Sequence, residues 1–245
     1  TGTWLLFLVN ALSAQNSPDF SNGFYHSTAG IEFAQGLVKG MTFKQQLAQT
    51  LMVPAWSREL KVDEPLDSLQ YQRRLLYQIR ELGVGGVIFF QGNPLNQIYL
   101  TNYYQQESPL PLLIGIDGEW GPAMRLSTME KYPFQMTLGA TYNANLTFQT
   151  GRSMGEQCKR LGIHINFTPS VDVNVEPNNP IIGFRSFGSE PHNVSIMAAA
   201  LARGMQQQGV LASAKHFPGH GFVKADSHID VPVDRRSLRT ILRDC

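Results

Sequence analysis

Gly209-Val210-Leu211-Ala212-Ser213-Ala214-Lys215-His216 is an apolar run that ends on a cation and an imidazole. Three other runs have the same form: Val84-Gly85-Gly86-Val87-Ile88-Phe89-Phe90, Leu110-Pro111-Leu112-Leu113-Ile114-Gly115-Ile116-Asp117, and Ile163-His164-Ile165-Asn166-Phe167 followed by Val171-Asp172-Val173. A short, continuous apolar run without polar alternation is what a strand buried on both faces looks like. Helical patterns separate these runs. One spans about 69–82, with Leu75, Leu76, Ile79 and Leu82 on one side and Gly83 as its stop. Others cover about 94–107, 145–161 and 193–208. An earlier helix starts near Met41, where Thr42 and Gln45 have capping-box spacing, and runs through Leu47 and Leu51 to a further strand around Thr50–Val53.

Helix and apolar strand therefore alternate, which predicts an α/β fold with parallel strands joined by helical crossovers. Two architectures satisfy that pattern. An open doubly wound sheet concentrates function at one switch point, commonly with a Gly-x-Gly-x-x-Gly turn, and no such turn follows the first strands. A barrel gathers the C-terminal ends of many strands around one site. Asp117, Asp172 and Lys215-His216 all lie at strand ends, so the expected fold is a (β/α)8 TIM-like barrel. Only about five of the eight strands are present, which makes residues 41–245 an incomplete barrel domain, truncated after the fifth strand. An open barrel exposes a strand edge, so this stretch is expected to be unstable by itself.

The 245 residues carry 20 Lys+Arg against 19 Asp+Glu, a net charge of +1. That balance lacks the basic excess of a nucleic-acid binder, and no nucleic-acid partner is expected. Residues 1–14 contain the apolar run Trp4–Val9 and then the small residues Ala11, Ser13 and Ala14. They read as the remnant of a signal peptide, with 15–40 a polar leader, so the protein is expected to be exported to a periplasmic or extracellular space. The run is too short to cross a bilayer, and no stable membrane span is expected. The two cysteines, Cys158 and Cys245, are too few for a cysteine zinc site and read as separate thiols, with a disulfide between them left open. No motif points to an oligomeric state.

Chemistry concentrates in Lys215-His216-Phe217-Pro218-Gly219-His220-Gly221 and the following Asp226-Ser227-His228, which hold three of the six histidines. Proline and glycine make this a shaped loop beginning where a buried strand ends. Asp226 and His228 are two apart, so in extended chain both side chains can face one way. A carboxylate beside an imidazole fixes its tautomer and raises its pKa, and such a pair can donate a proton to a leaving oxygen. On spacing alone, an ordinary surface pair explains Asp-x-His better than a catalytic one.

This loop resembles the signature of glycoside hydrolase family 3, in its β-N-acetylglucosaminidase branch. Two further segments are similar to that family. Asp117-Gly118-Glu119-Trp120-Gly121 with Arg125 resembles its Asp-x-Glu-Gly-Gly-x-Val-x-Arg segment, departing at Trp120 and Ala123. Arg185-Ser186-Phe187-Gly188 with Pro191 resembles its Arg-Ser-Phe-Gly-x-x-Pro segment. The resemblance runs from about Met41 to Val233. It implies that Asp226 and His228 form the acid/base dyad, with His228 transferring the proton, and that Asp117, Arg125, Arg185, Lys215 and His216 hold the sugar. Read from the residues alone, Arg185 could instead pair with Glu190, Arg125 could form a surface ion pair, and Asp172 could cap a helix or close a turn.

The implied reaction is retaining release of terminal β-linked N-acetylhexosamine from oligosaccharides or peptidoglycan fragments, through a glycosyl-enzyme. It needs neither cofactor nor metal. The family's nucleophile is an Asp on a later strand, in a Ser/Thr-Asp-Asp-Leu-like segment, and no such segment occurs here. The tail from Arg235 to Cys245 looks unlike the expected continuation. Alternatives are a β-glucosidase of the same family, an inactive sugar-binding module, and a metal-dependent hydrolase using His216 and His220 with Asp226 and His228. Against the last, Pro218 and Gly219 break the helix that would align an i, i+4 histidine pair. Phe89, Phe90, Tyr103 and Tyr104 read as packing residues. The 245-residue chain by itself is expected not to turn over a chromogenic glycoside; turnover by the pure chain would overturn that.

Overall fold

A computed structural model describes residues 28–58, 66–226 and 229–244. The signal-peptide reading of residues 1–14 lies outside the described residues, as do His228 and Cys245. Helix α1 (Thr28–Lys39) occupies part of the stretch read as leader. Helix α2 (Phe43–Gln49) begins as the sequence predicts: Thr42 Oγ1 accepts the Gln45 N–H, and the Gln45 side chain accepts the Thr42 N–H at 2.9 Å. That reciprocal cap satisfies two otherwise orphaned donors.

Five strands follow, separated by helices. They are β1 (Met52–Ser57), β2 (Gly86–Gly92), β3 (Leu113–Ile116), β4 (Ile165–Asn166) and β5 (Leu211–Ala212). Between β1 and β2 lies α3 (Leu66–Tyr77), which runs into a π turn over Gln78–Leu82 and stops at Gly83, where φ is +66°. Between β2 and β3 lies α4 (Pro94–Glu107), capped by Asn93 with Pro94 in the first turn. Helices α5 (Gln135–Ala140) and α6 (Ala144–Arg160) precede β4, α7 (Pro191–Gln207) precedes β5, and α8 (Leu238–Asp244) ends the described chain.

All pairings are parallel and the sheet order is β1-β2-β3-β4-β5. A doubly wound sheet reverses its strand order at a switch point. This one proceeds in one direction, as the wall of a (β/α)8 barrel does, over five strands. The register aligns Phe89, Ile116, Asn166 and Ala212 in one row. Residues just beyond that row share one rim.

β3, β4 and β5 are shorter than the apolar runs that predict them, whereas β1 continues past Val53 to Ser57. Val171–Val173 is not a strand: the chain there makes one bridge, Ser170 with Lys215. Ser213 N–H bonds Thr168 O and Lys215 N–H bonds Pro169 O, but the Ser170 N–H that would return to β5 goes to Gln135 Oε1 at 3.1 Å and Pro169 carries no N–H, so the ladder is interrupted. This irregularity frees Asp172 to turn towards the rim.

Apolar residues from the strands and from α3 and α4 form one core, in which Ala55, Ile79, Val87, Phe89, Ile114 and Ile116 are fully buried. A second cluster joins α6 and α7 through Met154, Met197, Leu201 and Met205, and reaches Phe187 and Val173 on the site's side. The two helices meet backbone to backbone. A Cβ on Gly151 would lie 2.2 Å from Leu201 O, and one on Gly204 would lie 2.2 Å from Phe148 O. Gly204→Ala must therefore push the helices apart. It is expected to destabilise the full-length protein by about 1–3 kcal/mol, seen as a lower midpoint in thermal or denaturant unfolding. An unmoved midpoint would show that the contact yields without cost.

Candidate active site

The rim beyond the aligned row carries a network of charges. Asp117 follows β3 directly. Its Oδ1 accepts from Lys215 Nζ at 2.6 Å and its Oδ2 from Arg125 Nη2 at 2.7 Å. Arg125 is fixed from three sides: its Nε donates to Asp117 O at 2.9 Å, its guanidinium lies 5.0 Å over the Phe90 ring, and its backbone pairs with Gly92 at the end of β2. Two residues beyond Asp117, the buried Glu119 receives a two-point contact from Arg185, at 2.9 Å from Nε and 2.7 Å from Nη2. Lys215 Nζ also reaches Glu119 Oε1 at 2.7 Å, so one ammonium is shared by two carboxylates. Asn166 holds the backbone between them in place, exchanging two hydrogen bonds with Gly118 at 2.9 and 3.0 Å.

Burial pushes the Asp117 carboxyl up, but Lys215 and Arg125 outweigh it and hold the group below its ordinary range. Burial likewise pushes Glu119 up, and Arg185 with Lys215 brings it below its ordinary range. Both groups are therefore carboxylates at neutral pH. Each still has lone pairs to accept from hydroxyl groups, while the cations donate to ring and hydroxyl oxygens.

Asp172 organises the other half of the rim. One oxygen receives His216 Nδ1 at 2.6 Å, His216 N–H at 3.2 Å and the Ser170 hydroxyl at 3.0 Å; the other receives the His220 N–H. Burial raises the Asp172 carboxyl, but these donors, with His216 first, outweigh it and hold the group below its ordinary range. Arg185 Nη2 lies 3.2 Å from His216 Nε2. Guanidinium can only donate, so Nε2 accepts and Nδ1 carries the proton that faces Asp172. His216 is thereby held in one tautomer and one orientation.

The structure brings Asp117, Arg125, Arg185, Lys215 and His216 together in this network, from positions as far apart as 117 and 215. Arg185 does not pair with Glu190, whose carboxylate caps α7 through the N–H groups of His192 and Asn193. Arg125 is not in a surface pair, and Asp172 is neither a helix cap nor a turn closer. Asp226 lies farther along the same loop, where its carbonyl accepts the N–H groups of Ile229 and Asp230. His228 falls outside the described residues, so the geometry of the dyad is not seen. Sequence reasoning missed Glu119 and Asp172 as parts of the site. Glu119 has a signal in its i, i+2 spacing from Asp117 at a strand end; Asp172 has one in being a carboxylate amid apolar residues. Cys158 is buried within the core, with its thiol pushed up to about 12 by desolvation, and is chemically quiet.

Residues 42–244 match the family model described as the glycosyl hydrolase family 3 N-terminal domain. The chain belongs to glycoside hydrolase family 3. The match runs through Asp244, so the tail from Arg235, which reads as a departure, continues the family pattern and forms α8. Relatives include beta-hexosaminidase A of Pseudoalteromonas piscicida, 38% identical over 63% of this chain and 28% of that protein, and a beta-hexosaminidase of Bordetella avium, 36% identical over 68% of this chain and 51% of that protein. A solved glycoside hydrolase family 3 beta-N-acetylglucosaminidase from Paenibacillus superposes with a TM-score of 0.70 at 33% identity, over 83% of this chain and 38% of that one. The chain thus spans about half or less of the length of these relatives. Its five strands are the first part of the family's TIM-like barrel.

Because Asp117, Glu119 and Asp172 titrate lower folded than unfolded, the stability they contribute is present above about pH 4 and is lost as pH falls through their folded values. Unfolding midpoints are expected to drop on acidification below about pH 4. Glu119→Gln should destabilise the protein by about 1–3 kcal/mol at neutral pH and make the acid limb shallower. A variant with the wild-type acid limb would show that Glu119 is not among the linked groups.

Proposed function

We propose that the full-length protein is a retaining β-N-acetylhexosaminidase that removes terminal β-linked N-acetylhexosamine from oligosaccharides or peptidoglycan fragments. The observation that carries this reading is the shared Lys215 ammonium between Asp117 and Glu119, with Arg185 and His216 fixed beside it. Such an array presents charged acceptors and donors at fixed separations, which suits a polyol better than an apolar ligand. The names of the relatives support the substrate class.

In this reading Asp117, Arg125, Arg185, Lys215 and His216 hold the sugar at the rim. Asp226 and His228 transfer the proton, with His228 giving it to the departing oxygen and later withdrawing it from water. A carboxylate supplied by a later strand attacks the anomeric carbon, the glycosidic bond breaks, and water releases the sugar from the glycosyl-enzyme with retention. The Asp172 contact keeps the His216 Nε2 face towards Arg185, so this imidazole serves binding and leaves proton transfer to the dyad. The apolar run at residues 4–9 supports export of the protein to a periplasmic or extracellular space.

The deciding experiment compares a chromogenic N-acetyl-β-glucosaminide with the matching β-glucoside on the full-length protein. The N-acetyl sugar should be cleaved preferentially, and His228→Ala should reduce turnover by about 10²–10⁴-fold. Arg185→Ala should mainly raise KM. Preference for the glucoside would reassign the substrate class, and folded protein that binds N-acetylglucosamine without cleaving either would make it a sugar-binding module.

A further inference from the structure

Asn179 is 9% exposed and lies in the loop between β4 and α7. Its Oδ1 accepts the N–H groups of Ile181 and Ile182, both at 2.8 Å, closing the turn that leads to Arg185. That turn is also held by Arg185 itself, whose Nη1 donates to Ile181 O at 3.1 Å. On its other side, Asn179 Nδ2 donates to His220 O and to Val223 O, both at 2.7 Å. Two N–H groups on one side and two carbonyls on the other allow a single amide orientation, with all four bonds made. The side chain therefore ties the Arg185 turn to the histidine-rich loop, three residues before Asp226.

Neighbouring contacts keep the loops in register. Glu176 N–H bonds Gly221 O at 3.1 Å, Asp172 receives the His220 N–H, and a Cβ on Gly221 would lie 1.9 Å from Val173 O. Only a glycine lets the loop approach that closely. The His220 side chain is 8% exposed; its Nδ1 lies 3.4 Å from Asn179 Nδ2, and its Nε2 has no hydrogen-bond partner among the described residues, so the imidazole backs the junction that its carbonyl and N–H make.

We propose that Asn179 is a positioning residue for proton transfer: its amide fixes where the segment carrying Asp226 and His228 leaves the barrel, and references that departure to the turn bearing Arg185. The inference rests on the reading of Asp226 and His228 as the acid/base dyad. In that reading Arg185 marks where the sugar sits, and Asp226 follows Val223 by three residues, so one side chain ties the sugar-holding turn to the start of the proton-transferring segment. A displacement of about 1 Å in such a group costs on the order of 10²-fold in rate.

Asn179→Asp separates the two halves of the contact. It keeps the oxygen that accepts from Ile181 and Ile182, and sets a carboxylate oxygen against the carbonyls of His220 and Val223. The full-length enzyme, the variant and His228→Ala are assayed for kcat/KM on phenyl and 2,4-dinitrophenyl N-acetyl-β-glucosaminides. This parameter covers the steps up to departure of the phenol. Phenol needs a proton to leave and dinitrophenol does not. For Asn179→Asp the phenyl substrate should lose about 10–100-fold and the dinitrophenyl substrate far less. Both values come from one preparation, so the folded fraction cancels in their ratio. Should the Asp variant fail to accumulate, Asn179→Ala, which removes donor and acceptor together without adding repulsion, is read by the same ratio of the two substrates, since loosening of the Arg185 turn lowers both alike. Equal losses on both substrates in the Asn179 variants, with a leaving-group-dependent loss in His228→Ala, would overturn the positioning role alone. Equal losses in His228→Ala itself would overturn the dyad reading, and the positioning role with it.

Discussion

Charge taken out of water must be neutralised where it lies. At the rim of this barrel wall, two carboxylates and three cations are packed within hydrogen-bonding distance of one another, with Lys215 at the junction. Removing any ion from water costs several kcal/mol, and only close, well-directed partners offset it. The strand register supplies that geometry. Ile116, Asn166 and Ala212 occupy one row, so Asp117 and Lys215 emerge on the same side at comparable height. Arg185 arrives from a loop and is held because Glu119 is already placed. The fold thus exists in the form that lets these charges meet, and the charges in turn fix the loop that would otherwise wander.

Asp172 plays the complementary part below the rim. A carboxylate without solvent needs every lone pair used, and here two backbone N–H groups, an imidazole and a hydroxyl use them. Polar networks of this kind are rigid when complete and costly when a member is lost. The same logic applies to Asn179, whose amide is fully bonded on both sides. Binding groups and the loop that follows them are consequently parts of one bonded frame rather than separate appendages.

Much of this was legible in the residues. Parallel strands buried on both faces leave unbroken apolar runs, and the cap at Thr42 and the stop at Gly83 are local signals that tertiary structure did not override. The five residues of the rim network stand out in the sequence because they fall at strand ends or in the segments that resemble the family's. What could not be read was pairing across long separations. Glu190 is near Arg185 in the chain, yet its carboxylate is consumed by the first turn of α7, while Glu119, distant in the chain, is near in space. Asp172 sits in a Val-Asp-Val stretch that looks like strand, but Pro169 interrupts the ladder and turns the carboxylate inward. Asn179 belongs to an Asn- and Pro-rich segment of ordinary turn composition, and only the approach of a second loop gives its amide a purpose.

The connection between Asp117 and Lys215 has a kinetic side. The two residues are 98 positions apart, and their contact closes a loop that contains β4, β5 and the helices that lead to them. Contacts of such high sequence separation form late, because the entropy of closing the intervening chain must be met before they contribute. A polypeptide that has made β1, β2 and α4 can already bury Phe89 against Tyr104, but it lacks the rim network. During synthesis Asp117 and Arg125 can pair locally, but the ammonium that joins Asp117 to Glu119 arrives only when β5 docks. The complete charge network is therefore a property of the assembled wall, absent from every intermediate that lacks its fifth strand.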